Sequence, residues 1–114
     1  MLTISQTVYY IDLILQNGEM KAKKVFCVVA YDISDNHRRN KVIKVLERYG
    51  IRVNYSVYEC MFTHTQLDKV KDKIAKLILV KEDSVIYYPI CIDCFSKIVY
   101  QPYRRVATKT IIAL

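Results

Sequence analysis

The sequence predicts an α+β fold, an antiparallel sheet with two helices on one face, and three observations carry that prediction. Two runs, VFCVVAYD from Val25 and DSVIYYPI from Asp83, are apolar on both alternating faces, the pattern of central strands covered on both sides. Two other segments, SDNHRRNKVIKVLERYG and THTQLDKVKDKIAKLIL, carry apolar residues at helical spacing. Between them IRVNYSVYEC alternates apolar and polar positions, as a half-exposed strand does.

Taken in order, the chain begins with an extension, residues 1–19. Val8, Tyr10 and the alternation Ile11, Leu13, Leu15 suit an added strand, while Leu13–Gln16 suits a helix equally. Met20 opens MKAKKVFCVVAYDIS, which reads as a natural N-terminus, so residues 1–19 are expected to derive from an upstream start. The first strand follows and ends at Asp32. Ser34, Asp35 or Asn36 suits the cap of the first helix, Val42, Leu46 and Tyr49 form its stripe, and Gly50 suits the C′ position.

In IRVNYSVYEC, Ile51, Val53, Tyr55 and Val57 share one face and Arg52, Asn54, Ser56 and Tyr58 the other, which predicts an edge strand. The second helix has Leu67, Val70, Ile74, Leu77 and Ile78 as its stripe, Thr65 with Asp68 as a capping box, and a solvated face bearing Lys69, Lys71, Lys73 and Lys76. DSVIYYPI is then a strand, and FSKIVYQ suits a last one. The expected order is βαββαβ, the ferredoxin-like split βαβ arrangement over residues 20–103. Residues 104–114, ending TIIAL, are apolar enough to add a strand to this sheet or to a partner's.

In such a fold both helices lie on one face, so the other apolar face needs a cover. A second copy of the same sheet supplies it most simply, which predicts an isologous homodimer. Net charge is +7, and every basic residue lies after Met20, where eighteen bases meet nine acids, a balance of +9 for residues 20–114. That excess points to a polyanionic partner, nucleic acid above all. Four cysteines with no secretory signal, and no apolar run long enough to span a bilayer, point to the cytoplasm and away from a membrane.

Asp32 is the first candidate for chemistry. It ends a strand at a place where sheets often put ligands, although such an aspartate also begins turns. If the dimer axis brings Asp32 against its twin, the two carboxylates must share a proton, separate, or hold a cation, and oxygen-only ligands favour Mg²⁺ or Mn²⁺. Arg38, Arg39 and Lys41 in the first turns of helix one, with Arg52 on strand two, supply cations for phosphate, and Tyr58 supplies a ring for stacking. His37 and His64 read as surface histidines first and general bases second. Glu59 reads as a metal or base candidate, or as a charged edge residue. Cys91-Ile-Asp-Cys94 is half a zinc site, and it lacks a thioredoxin-like context.

The blocks YDISDNHRRNKV, IRVNYSVYEC and DSVIYYPICIDC closely resemble the small CRISPR-associated nuclease of spacer acquisition, Cas-two, over about Lys24 to Gln101. The resemblance implies a ferredoxin-like homodimer in which Asp32 meets its twin to bind Mg²⁺ or Mn²⁺. By motif position it implies that Tyr31 flanks the acid, that Arg39 is the early helix arginine, and that Arg52 and Tyr58 are the basic and aromatic positions of strand two. Lys41 stands where some members have arginine, keeping charge without the bidentate fork. Tyr58 stands where many have phenylalanine. The implied activity is metal-dependent cleavage of single-stranded RNA or double-stranded DNA, or a scaffold role in which the dimer bridges integrase (Cas-one) dimers and holds incoming duplex DNA, with Arg104, Arg105 and the tail as further contacts. A ribonuclease toxin of the virulence-associated D type shares this fold and is the alternative.

Overall fold

The computed structural model describes residues 23–102. The extension 1–19 and the tail 104–114, with its predicted strand and Arg104 and Arg105, lie outside the described residues. The elements run β1 (Lys24–Asp32), α1 (Asn36–Leu46), β2 (Gly50–Asn54), β3 (Val57–Thr63), α2 (His64–Leu77), β4 (Ser84–Ile90) and α3 (Ile92–Ser96). The strands form one antiparallel sheet in the order β2-β3-β1-β4, which is the ferredoxin-like arrangement.

Strand alternation divides the sheet into two faces. Cys27, Val29 and Tyr31 of β1 lie beside Tyr58, Cys60 and Phe62 of β3, and the helices cover them with Val42, Val45 and Leu46 from α1 and Leu67, Val70 and Ile74 from α2. Asp35 caps α1 by accepting the Arg38 N–H. Thr63 and Gln66, two residues earlier than the predicted pair, make the capping box of α2, because Thr63 ends β3 in extended conformation.

Three elements differ from the sequence reading. IRVNYSVYEC is a hairpin, not one strand. Asn54 and Ser56 are turn formers, Asn54 Oδ1 accepts the Tyr55 N–H at 2.8 Å, and the ladder shifts register between Arg52 and Asn54. Its second arm, β3, continues to Thr63 and is central rather than an edge.

DSVIYYPI, predicted to be central, is the edge strand β4, paired with β1. Its two-sided apolarity has another cause: Val85 and Tyr87 pack on the helix side, while Ile86 and Tyr88 stand half exposed on the other. FSKIVYQ forms no strand; its first residues belong to α3, whose Phe95 turns under the sheet and packs on Phe26 at 4.7 Å between ring centroids.

Among the described residues the face opposite the helices is therefore covered at one end only. Phe26, Ile51 and Met61 are buried beneath Phe95, with Ile98 packed beside them. Tyr100 donates its hydroxyl to Glu59 Oε2 at 2.6 Å on the same face. Toward the other end the row through Val28, Ala30 and Asp32 on β1, with Ile86 and Tyr88 on β4, grows progressively more open.

Gly50 is not a helix cap. Its φ is not positive, and it begins β2, where an added Cβ would meet the Glu59 carbonyl oxygen, Cys60 Cα at 2.7 Å and Cys60 Sγ at 2.8 Å. Here glycine permits the close approach of two strands.

Candidate nucleic-acid interface

Asp32 is the last residue of β1, opposite Ser84 of β4, with an exposed side chain on the sparsely covered face. Two cationic side chains share its surroundings. A shallow depression of about 450 Å³ is lined by Asp32, Arg39, Arg52, Tyr55 and Ser56, with Tyr31 and Ile33 behind them. Arg39 Nη1 donates to the Ile33 carbonyl at 2.8 Å and the Ser34 carbonyl at 3.4 Å, and Nη2 donates to Asn36 Oδ1. Arg39 thus ties the loop after β1 to the first turn of α1 and fixes the approach to Asp32. Arg52 is exposed on β2, in register with Tyr58.

Three other predicted residues take roles that the sequence reading did not assign. Tyr31 and Tyr58 are core residues, 4% and 3% exposed, with ring centroids 6.3 Å apart. Alternation turns both toward the helices, so neither offers a ring face to a base. Tyr31 instead donates its hydroxyl to the Tyr55 carbonyl at 3.1 Å, bracing the hairpin turn beside the depression. Burial pushes the phenol of each above its ordinary pKa.

Arg38 is engaged by acids rather than open to phosphate. Its Nε donates to Asp83 Oδ2 at 2.8 Å, and Nη2 donates to Asp83 Oδ1 at 3.1 Å and Glu82 Oε2 at 3.0 Å. The Asp83 side chain is fully buried and also accepts the Leu79 N–H, so Arg38 clamps the entry to β4 onto α1. The Arg38 hydrogen bonds hold the Asp83 carboxyl below the ordinary aspartate range, with help from the Leu79 N–H.

Lys41 stands apart from Asp32. It lines a groove between the helices with Lys44, Arg48 and Lys73, and Arg48 and Lys73 continue into a second hollow with Lys69. Two of the lysines read as a solvated face, Lys69 and Lys73, therefore form a cationic surface with Lys41, Lys44 and Arg48. Spacing within each helix already puts Lys41 with Lys44 and Lys69 with Lys73 on one face, and helix–helix juxtaposition joins the two sets.

Tyr55 is the residue that the sequence reading missed. It was assigned to the apolar face of a strand, yet it sits at the hairpin turn, 91% exposed, at the rim of the Asp32 depression. The flanking Asn and Ser were the available turn signal.

The histidines do not join the acid. His37 faces the outer side of α1, and His64 lies at the end of the sheet where Lys24 pairs Thr63, away from the Asp32 end. Glu59 is on a central strand, 4% exposed and held by Tyr100, which removes the edge-residue reading.

Among the described residues no group of three or more His, Cys, Asp or Glu side chains is placed to hold a metal ion. Among the described residues one chain brings a single carboxylate to the depression, beside two guanidinium groups, and these residues do not suit a divalent ion unaided. Two copies would bring two carboxylates, a hard oxygen set that fits Mg²⁺ or Mn²⁺.

A four-stranded antiparallel sheet in ferredoxin-like order, with an acid ending its first strand, defines a class of small α+β proteins. The model of the family described as CRISPR associated protein Cas2 matches residues 25–98, and the chain belongs to that family. It is 41% identical over 63 residues to the CRISPR-associated endoribonuclease Cas2 3 of Synechocystis sp., covering 55% of this chain and 68% of that protein. The crystal structure of Streptococcus pyogenes Cas2 at pH 6.5 superposes with a TM-score of 0.61 at 26% identity, over 66% of this chain and 96% of that one. A chain of a partial Cas6-RT-Cas1–Cas2 complex superposes with a TM-score of 0.55 at 27% identity, over 61% and 77% of the two chains. Among the described residues no helix is long and apolar enough to cross a membrane.

Proposed function

We propose that the chain serves CRISPR spacer acquisition as a homodimer that binds nucleic acid and hydrolyses phosphodiester bonds of single-stranded RNA or duplex DNA at a site built on Asp32. The observation that carries the proposal is the exposed Asp32 at the open end of the uncovered face, in one depression with Arg39 and Arg52. Family membership and relatives named as endoribonucleases support it.

The half-exposed Ile86 and Tyr88 lie on the same face as Asp32, so a second copy covering them would bring two Asp32 carboxylates toward one axis. The paired Asp32 carboxylates would hold Mg²⁺ or Mn²⁺ there, and the ion would supply Lewis acidity toward a phosphoryl oxygen. Arg52 offers a two-pronged hydrogen-bond donor to the substrate phosphate, Arg39 keeps the loop after Asp32 in place, and Tyr55 presents a ring on which a base stacks.

A scaffold reading has its own observation. Lys41, Lys44, Arg48, Lys69 and Lys73 lie away from Asp32, as backbone contacts to a duplex require and cleavage does not. The matched chain of a complex with Cas1 supports the integrase as partner.

The test is a nuclease assay with Mg²⁺, Mn²⁺ or chelator, wild type beside Asp32→Ala, with mass measured by light scattering. Metal-dependent cleavage by the wild type that Asp32→Ala loses while remaining dimeric is expected. Undiminished cleavage by the variant would remove Asp32 from the chemistry. Cleavage by neither protein, with duplex binding retained, would leave the scaffold reading.

A further inference from the structure

The function proposed above leaves Cys91 and Cys94 unused, and their geometry separates them from the other cysteines. Cys27 and Cys60 are buried to 0% exposure, and burial pushes the Cys27 thiol up to about 11 and Cys60 higher still. Cys91 and Cys94 are both exposed free thiols, one turn apart, so a reagent in solution reaches them. The Cys94 N–H donates to Cys91 Sγ at 3.4 Å.

The pair is also asymmetric. The Cys94 backbone N–H, and then its thiol, hold Cys91 below the ordinary thiol range, while the hydrogen bond to Cys91 holds Cys94 above it. One thiol is thus disposed to attack and the other to wait. Beside Cys91 opens a cavity of about 300 Å³ whose walls include Phe26 and the cationic residues Lys23 and Lys24. An anionic reagent of a few residues' size suits that space and charge.

We propose that Cys91 and Cys94 are a redox-active dithiol that undergoes thiol–disulfide exchange with a small anionic disulfide. The Cys91 thiolate attacks one sulfur of the reagent, forming a mixed disulfide and releasing one thiolate. Cys94, giving its proton to solvent, then attacks Cys91 Sγ, closes the Cys91–Cys94 bond and expels the second thiolate. The chain loses two electrons and two protons, and one disulfide becomes two thiols. The bond closes the first turn of α3 just before Phe95, which is fully buried on Phe26, so oxidation braces the segment covering one end of the uncovered face.

Oxidised glutathione is the probe, with uncharged hydroxyethyl disulfide beside it, read by intact mass and by mapping of alkylated cysteines. The full chain should lose two hydrogen masses at Cys91–Cys94, regain them with dithiothreitol, and react faster with the anionic reagent. Cys94→Ser should stop as an adduct on Cys91, and Cys91→Ser should react about tenfold more slowly. Equal rates for the two variants, a pair that stays reduced in excess oxidised glutathione, or equal rates with the uncharged reagent would overturn the proposal. So would stoichiometric protection of both thiols by zinc, which would make the pair a metal site.

Discussion

Gly50→Ala tests whether the β2–β3 hairpin is built on close strand approach. The new Cβ would lie 2.7 Å from Cys60 Cα and 2.8 Å from Cys60 Sγ, against carbon contacts of about 3.5–4.0 Å, and it would also strike the Glu59 carbonyl oxygen. Two of the three atoms are backbone of a central strand, so β2 must yield, by roughly 1 Å. Overpacking of that kind costs about 1–3 kcal/mol, and weakening of the bond from the Met61 N–H to the Tyr49 carbonyl, now 3.0 Å, adds about 1 kcal/mol. A total of about 2–4 kcal/mol corresponds to a fall in Tm of roughly 10–25 °C for a domain of this size.

Urea denaturation followed by circular dichroism measures the change. The displacement also moves Arg52, two residues along β2, so nucleic-acid affinity at the Asp32 depression should fall in the folded variant. A loss of stability below about 0.5 kcal/mol would refute the close-approach account of this glycine.

Two further perturbations probe charge and burial. Arg38→Ala should lower stability at pH 7 and change it less at a pH below the ordinary aspartate value: the depressed Asp83 pKa contributes stability above the ordinary aspartate value, and that contribution fades as pH falls through the depressed value. Denaturation curves at both pH values check the sign, and an equal loss at both would reject the ion-pair explanation. Tyr87 has a buried hydroxyl with no hydrogen-bond partner among the described residues, and burial pushes its pKa up to about 12. Its raised pKa gives stability that is complete below about 10 and lost as pH rises toward 12, at up to about 1.4 kcal/mol per pH unit. Tyr87→Phe should therefore flatten the alkaline fall in stability, and an unchanged slope would count against it.

The Cas2 fold was legible because hydrophobic periodicity is local. The alternation of VFCVVAYD and the helical stripes of Val42, Leu46, Leu67, Val70 and Ile74 depend on neighbours a few residues away, and the elements they imply are present. Asp32 was legible for the same reason: a carboxylate closing an apolar run marks a strand end. The hairpin was missed because Asn54 and Ser56 fit an alternating strand as well as a turn. The position of DSVIYYPI was misread because two-sided apolarity is shared by a central strand and by this edge strand, whose Ile86 and Tyr88 stand half exposed.

The sequence by itself determined the first strand, the stripes of the two long helices, the excess of positive charge and the acid at the strand end, since these follow from residue type and short-range spacing. Tertiary structure decided what each side chain is free to do. Docking of the helices on one face of the sheet buried Tyr31 and Tyr58, and the hairpin turn put Tyr55 at the rim. The approach of residues 45 apart joined Arg38 to Asp83. The packing of α1 against α2 drew separate lysines into one groove, and Phe95 closed one end of the face while leaving Asp32 at the other. Accessibility and pairing across the chain depend on distances that no local pattern encodes.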